Sequence, residues 1–430
     1  MGTRAFVGID IGSATVKVVG IDARGGMVGT PVYLRHDQFP SQLDALKAAF
    51  RRYLESTEVE VAGIGTTGSG RELTRKIVGA DLARTEIFAH AVGVTHLVKS
   101  GQVRVPGPDG RPVTVDRVGT VIELGGQDSK VIVFGEDGIP SYFNMNTICS
   151  AGTGEFLKQL ADEAGIPLDQ FGPLALRSTS PAVIDATCTV FSKRDFRHLT
   201  QKGVPLEDRL MGACRAMVRN YLNNVVQGTA LREPVFFQGG VAFNAAVKKA
   251  FEEHLGTRVI VTPHNDVVGA LGMAVIVRDT MLSLPGLATA FNADFFERQY
   301  DSRVRYCHGC QNACDLAQPY EVVGGEVRVL ETLGGRCEGS QNPKNVKEYP
   351  QAAGSFRVPV IRVPRRGPAF DVLNPGGRRL RSSASGGGRY FAGLDGGSRG
   401  TKYALIRSVD RPYAPDAGEL DVEIVAVGSV

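Results

Sequence analysis

Residues 8–17 read GIDIGSATVK, residues 123–130 read ELGGQDSK and residues 237–244 read FQGGVAFN. Each stretch places glycines where an apolar, strand-like run ends, and the three begin at nearly even intervals, at positions 8, 123 and 237. A glycine turn lets the backbone reverse sharply and brings N–H groups close to an anion such as phosphate. In the first stretch Gly12 makes the turn, Ser13 adds a hydroxyl and Lys17 a positive charge. Asp10 is placed to hold Mg²⁺, directly or through water. In the second, Gly125 and Gly126 form the tip and Asp128 is a second acid near the metal. In the third, Gly239 and Gly240 leave room for a nucleoside, with Asn244 in reach of it. No GxxxxGK[ST] run occurs, which excludes a P-loop.

The flanking sequence predicts the elements that carry these turns. AFVGIDIG and VKVVGID read as a hairpin, and apolar spacing predicts a helix around 41–55. VAGIGTTGSGREL reads as strand, turn and helix, and 103–116 as a polar excursion. RVGTVIELGGQDSKVIVF is a second strand–turn–strand unit. Helices are expected at 154–165 and 206–228, a strand at 234–238, then the strand TRVIVTP and the helix VVGALGMAVIV. Strands and helices alternate, so the class is α/β. The 430 residues exceed one ordinary domain. Residues 1–285 read as one two-lobed unit, 300–340 as a cysteine-bearing segment, 341–389 as a linker and 390–430 as an incomplete repeat of the first unit. In that repeat YFAGLDGGSRGTKYALI mirrors AFVGIDIGSATVKVVGI, aligning Asp395 with Asp10 and Lys402 with Lys17.

Seven cysteines in so long a chain suggest no disulfide framework. Cys149, in NTICSAGTGEFL, and Cys188, in DATCTVFSKRD, each stand at an expected helix start, where the dipole and open N–H groups favour a thiolate. Cys214, in MGACRAMVRN, reads as a buried thiol. Cys307, Cys310 and Cys314 form C-x2-C-x3-C, and Cys337 follows; four thiols in a short segment suit an Fe–S cluster or structural Zn²⁺.

The formal charge of +4 hides an asymmetry, since residues 341–390 carry ten Lys/Arg against two Asp/Glu. That stretch is rich in Pro, Gly and Ser and poor in aromatics, the mark of a solvated linker rather than a nucleic-acid surface. No apolar run approaches the roughly 18–20 residues that span a bilayer. MGTRAFVGIDIG is not a signal peptide and Phe6 breaks a myristoylation signal, so the expectation is a cytoplasmic protein with no membrane partner.

Three glycine turns in this order resemble the actin, hexokinase and Hsp70 superfamily, in which two ribonuclease H-like lobes clamp ATP–Mg²⁺. Within it, IELGGQDSKVI, NTICSAGTGEFL, ATCTVFSK and QGGVAFN are similar to the ATP-dependent activators of 2-hydroxyacyl-CoA dehydratases and the ATPase subunits of benzoyl-CoA reductases. The resemblance covers residues 5 to about 278; the cysteine segment and the repeat are similar to those of the long, multi-domain activators. It implies a homodimer sharing one [4Fe–4S] cluster, with Cys149 and Cys188 as the ligands from each subunit. It implies a ferredoxin or flavodoxin donor, a conformational switch driven by ATP, and one low-potential electron passed to a partner metalloenzyme. Gln127 or Asp128 would orient the hydrolytic water, and Gly152 and Gly154 would turn N–H groups toward the nucleotide. Two rival readings remain: a sugar-type kinase of the same fold with Asp128 as base, which leaves the cysteine motifs without purpose, and a non-catalytic ATP-binding scaffold.

Overall fold

The computed structural model describes residues 2–107, 109–146, 152–284, 286–323, 325–335 and 337–348, and the backbone of strands 389–397, 400–408 and 422–429. The chain divides into two compact units, Met1–Asp301 with Pro319–Glu331, and Ser302–Gln318 with Thr332–Val430.

The first unit holds one topology twice. Its first sheet contains β1 (Thr3–Ile11), β2 (Thr15–Ile21), β3 (Met27–Arg35), β4 (Val59–Thr67) and β5 (Leu82–Ala83) in the order β3-β2-β1-β4-β5. After a small hairpin of β6 (Arg104–Pro106) and β7 (Pro112–Thr114), the excursion expected at 103–116, comes the second sheet. It contains β8 (Thr120–Leu124), β9 (Ser129–Phe134), β10 (Pro140–Asn146), β11 (Val235–Gln238) and β12 (Val259–Val261) in the order β10-β9-β8-β11-β12. In both sheets the first three strands run antiparallel and the last two join in parallel. Their Val- and Ile-rich central strands, such as β8 and β9, are buried along their whole length, as strands covered on both faces must be. These are the two lobes of the α/β ATPase fold expected from the sequence.

Helices fill both faces of each sheet. α1 (Gln42–Glu55) and α2 (Arg71–Val78) pack on the outer face of the first sheet. The α1 stripe of Ala45, Leu46, Ala49, Phe50 and Tyr53 recurs at helical spacing, and Ser41 caps its start by accepting from the Asp44 N–H. α4 (Gly154–Ala164), α5 (Leu168–Ala175), α6 (Thr189–Gln201), α7 (Leu206–Tyr221) and α8 (Ala245–Leu255) cover the outer face of the second sheet. α7 ends at Tyr221, short of the expected 228, and one π turn follows over Leu222–Val226.

Between the sheets lie α3 (Glu86–Lys99) and α9 (Val268–Ser283), in a core shared with Phe6, Ile21, Ile132 and Phe236. They cross at glycines. A Cβ on Gly272 would collide with the carbonyl of Ala89 and lie 2.8 Å from the Gly93 nitrogen. That close crossing fixes the first turn of α3 at the mouth of the cleft between the lobes.

In the second unit, Tyr306 and Cys307 pair antiparallel with Lys347 and Val346. Strands Arg389–Gly397, Gly400–Ser408 and Val422–Ser429 form a three-stranded antiparallel sheet. Its backbone register places Asp395 opposite Lys402, as β1 and β2 place Asp10 opposite Lys17. Ser398, which the repeat aligns with Ser13, lies outside the described residues.

Candidate functional site

The first turn is closed by the Gly12 N–H donating to the Thr15 carbonyl at 3.0 Å, and the second by the Gly125 N–H donating to the Asp128 carbonyl at 3.0 Å. Beneath each turn an acid and a lysine stand opposite one another, seven residues apart. Lys17 Nζ lies 2.9 Å from Asp10 Oδ2, and Lys130 Nζ lies 2.8 Å from Glu123 Oε2. The two hairpins are thus chemical counterparts on the two lobes, and they face one cavity. Asp10, Gly12, Ser13, Lys17, Gly125, Gly126, Asp128, Gly239 and Gly240 all line it. Gly239 has φ +90 with its Hα against the Leu124 carbonyl and Glu123 Oε1, so only glycine brings β11 this close.

Eight residues of this lining were not singled out from the sequence: Ala14, Thr15, Tyr33, Asp266 and the four that follow. Glu86 and His90, one helical turn apart on α3, line it together with Glu123 and Lys130. Lys130, 1% exposed, gathers three carboxylates: Glu86 and Glu123 at 2.8 Å and Asp128 at 3.1 Å. Burial opposes its charge, yet the three acids outweigh burial and hold its pKa well above 10.5. The reverse holds for Glu123 and Glu86, where burial outweighs the single ammonium and raises both above the usual 4.5. Asp10 differs: burial pushes it up, but Lys17, aided by His90 and Lys130, pulls it below 3.8. His90 is pushed down to about 4 by burial and by Lys130.

A second, larger and more apolar cavity of about 460 Å³ opens beside the first. Tyr33, Gly154, Leu157, Pro173, Val241 and Phe243 line it, and Phe243 is 68% exposed. Its size and apolar wall suit a nucleoside, while the polar cavity suits its phosphates. Asn244 lines this cavity, but its Oδ1 is committed to capping α8, accepting from the Ala246 and Val247 N–H groups at 3.0 and 3.3 Å.

Two expected residues stand apart from both cavities. Gln127 is exposed at its turn and lines neither. Gly152 also lines neither; it faces α7, where a Cβ would meet Asn220 Oδ1 at 3.1 Å.

Among the described residues no group of three or more His, Cys, Asp and Glu is arranged to hold a metal ion. Mg²⁺ carried in on phosphate oxygens needs only one or two protein carboxylates and keeps its waters. Asp10 and Asp128 both stand at the cavity wall. Of the two expected cluster ligands, Cys188 is the N-cap residue of α6, in extended conformation, and Cys149 lies outside the described residues. In the second unit Cys307 is buried and accepts from the Gly309 N–H at 3.4 Å, while Cys310 and Cys337 are exposed. The Cys307 N–H donates to the Cys314 carbonyl, as across paired strands. Among the described residues no helix is long and apolar enough to cross a membrane.

Comparison with known proteins agrees with this geometry. The family model described as the BadF/BadG/BcrA/BcrD ATPase family matches residues 7–277. An uncharacterized protein of Methanocaldococcus jannaschii is 29% identical over 272 residues, which span 63% of this chain and 61% of that protein. The activator of lactoyl-CoA dehydratase from Anaerotignum propionicum is 31% identical over 269 residues, 63% of this chain and 95% of the activator. Among solved structures, component A of the (R)-2-hydroxyglutaryl-CoA dehydratase from Acidaminococcus fermentans superposes with a TM-score of 0.56 at 28% identity, covering 65% of this chain and all of that one.

Proposed function

The chain belongs to the BadF/BadG/BcrA/BcrD ATPase family, and from that premise we propose that it is an ATP-hydrolysing activator that delivers a low-potential electron to a partner metalloenzyme. The partner is of the 2-hydroxyacyl-CoA dehydratase or benzoyl-CoA reductase type, by analogy with the lactoyl-CoA dehydratase activator it resembles. The observation that carries the nucleotide half of this reading is the pair of acid–lysine hairpins, Asp10–Lys17 and Glu123–Lys130, facing one cavity.

In this reading the N–H groups around Gly12 and Gly125 receive the phosphate oxygens, and Lys17 offsets their charge. Asp10 and Asp128 hold the Mg²⁺ that accompanies ATP. The apolar cavity beside Phe243 receives the adenosine. The two hairpins sit on different lobes, so contacts that differ before and after hydrolysis bias the lobes between two arrangements. Cys149 and Cys188 from each of two subunits hold one [4Fe–4S] cluster, the donor set that cluster requires. When bound, the cluster supplies a one-electron store fed by a ferredoxin- or flavodoxin-type donor. The placement of Cys188 at a helix start favours its thiolate.

The test is anaerobic purification with iron analysis, sedimentation and ATP hydrolysis on one preparation. The expected protein is a brown dimer with about four irons, and Cys188→Ser loses the iron while keeping Mg·ATP binding. Unchanged iron in that variant, or a wild type that binds no nucleotide, ends the reading.

A further inference from the structure

We propose that Asn220 is a positioning residue of the iron–sulfur site: from the buried end of α7 its amide sets the turn that carries Cys188 against the motif that carries Cys149. The role rests on the cluster-binding reading above and concerns how the two thiols of one chain are spaced.

Asn220 is a polar side chain inside an apolar core. It is 1% exposed, in the last turn of α7, beside Met217, Val218 and Tyr221, which are all fully buried. Burying an amide is unfavourable unless its groups are paired. One half of this amide is paired: Nδ2 donates to the Ala186 carbonyl at 2.7 Å and to the Thr187 carbonyl at 3.3 Å, on the two residues that precede Cys188. The other half is not. Oδ1 is buried and has no hydrogen-bond partner among the described residues. It faces the other cysteine motif, since a Cβ on Gly152, three residues after Cys149, would stand 3.1 Å from it. The two carbonyls decide which end of the amide is which, because exchanging the ends would set oxygen against oxygen.

The neighbouring hydrogen bonds show what Asn220 adds. The Ser192 hydroxyl donates to the Asp185 and Cys188 carbonyls at 2.7 and 3.0 Å, and Asp195 Oδ2 accepts from the Asp185 N–H at 3.0 Å. Both side chains belong to α6, so they shape the Cys188 turn without fixing where it stands. Arg219 Nη2 donates to the Ile184 carbonyl at 2.7 Å, four residues before the thiol. Among these groups Asn220 alone reaches the residue next to Cys188 from another element while also bordering Gly152. Its own place is fixed, because the adjacent Tyr221 hydroxyl donates to the Lys130 carbonyl at 2.8 Å and so ties the end of α7 to β9. The Gly152 side is anchored independently: the Gly154 and Glu155 N–H groups donate to the Gly125 and Gly126 carbonyls at 2.9 and 2.8 Å. Asn220 thus stands between a cysteine motif tied to the phosphate turn and one tied to α6.

A cluster that takes two thiolates from each chain is sensitive to the spacing of those two. Outer groups that orient metal ligands typically account for about 10–100-fold in metal affinity.

The test compares wild type, Asn220→Leu and Val218→Ala, each purified without oxygen. Asn220→Leu keeps the volume and removes both polar groups. Val218→Ala removes apolar packing from the same helix but no hydrogen bond, and serves as the variant whose effect is on stability alone. The measurements are iron per chain, the rate of iron release to a ferrous chelator, the EPR spectrum of the reduced protein and binding of a non-hydrolysable Mg·ATP analogue. In Asn220→Leu iron release is expected to quicken roughly 10-fold or more, with shifted EPR g values and analogue binding close to wild type. Val218→Ala is expected to match wild type in iron release and in EPR. Iron release and EPR in Asn220→Leu that equal those of wild type, or of Val218→Ala, overturn the proposal. A wild type that holds no iron instead overturns the cluster reading beneath it. If Asn220→Leu does not fold, Asn220→Ser decides: its shorter side chain cannot span the two motifs, and an unchanged rate of iron release overturns the proposal.

Discussion

His90 on α3 and Gln238 on β11 meet between the lobes, with Gln238 Nε2 2.8 Å from His90 Nδ1 and both side chains buried. Gln238 Oε1 is buried without a hydrogen-bond partner among the described residues. A neutral ring accepts from the amide, whereas a protonated ring would set two donors against each other beside Lys130. Burial and Lys130 accordingly hold His90 at about 4, against 6.5 for a free histidine.

The sign of the pH effect follows. Between pH 6.5 and 4 the unfolded chain binds a proton at His90 that the folded chain refuses. The stability contributed is full above pH 6.5 and lost as pH falls toward 4, on the order of 3 kcal/mol at most. Glu86 and Glu123, whose pKa values are raised, work in the opposite direction, so the readout is a difference. The urea-unfolding gap between wild type and His90→Gln is expected to narrow from pH 7 to pH 4.5. A gap that does not change with pH would contradict the buried neutral ring.

Gly272→Ala tests the crossing of α3 and α9. Its methyl would collide with the Ala89 carbonyl, and the helices must separate to admit it. The expected cost is about 1–3 kcal/mol by urea denaturation, although alanine is the better helix former by about 1 kcal/mol. Because α3 carries Glu86 and His90, ATPase turnover is expected to fall as well. A variant as stable and as active as wild type would show that this contact does not position α3.

The glycine turns, Asp10 and Lys17 were legible because each turn and its charges lie in one short local run. Glu86 and His90 were not, because α3 reads as an apolar helix and their role arises only when it is held between the sheets. Lys130 and Glu123 lie at the two ends of ELGGQDSK, away from the glycine tip that reads as a phosphate turn. The missed signal was the seven-residue offset of acid and lysine, shared by Asp10 and Lys17, Glu123 and Lys130, and Asp395 and Lys402. Asn244 shows how one residue serves two ends: it follows a glycine pair and lines the apolar cavity, and its Oδ1 also caps the helix it precedes. The end of α7 was misjudged because LNNVV continues the apolar spacing while the backbone widens to a π turn.

Phe243→Ala tests the nucleoside cavity. An aromatic ring left 68% exposed at the wall of an apolar cavity is available for stacking on a base. Such stacking contributes about 0.5–1.5 kcal/mol, so affinity for an ATP analogue is expected to fall roughly 2–12-fold, measured by calorimetric titration. Affinity for inorganic triphosphate, which has no base, should stay unchanged. Equal losses for both ligands would move the adenosine elsewhere.

Asp10→Asn tests the metal side of the site. The substitution keeps the shape but removes the charge that Lys17 faces at 2.9 Å, leaving a buried ammonium without its carboxylate. Lys17 is held above its usual pKa because Asp10 outweighs the burial that opposes its charge, so the variant shifts it downward. Two effects on ligand binding then separate. Binding of the analogue with Mg²⁺ is expected to weaken by about 10–100-fold, in keeping with loss of one charged contact worth roughly 1.5–3 kcal/mol. Binding of the free analogue without metal should change far less, since Lys17 is then released toward phosphate and its own partner in the protein is gone. The ratio of the two affinities, taken by titration with and without EDTA, is therefore the quantity that carries the test. A ratio equal to that of wild type would mean that Asp10 holds Lys17 and nothing more.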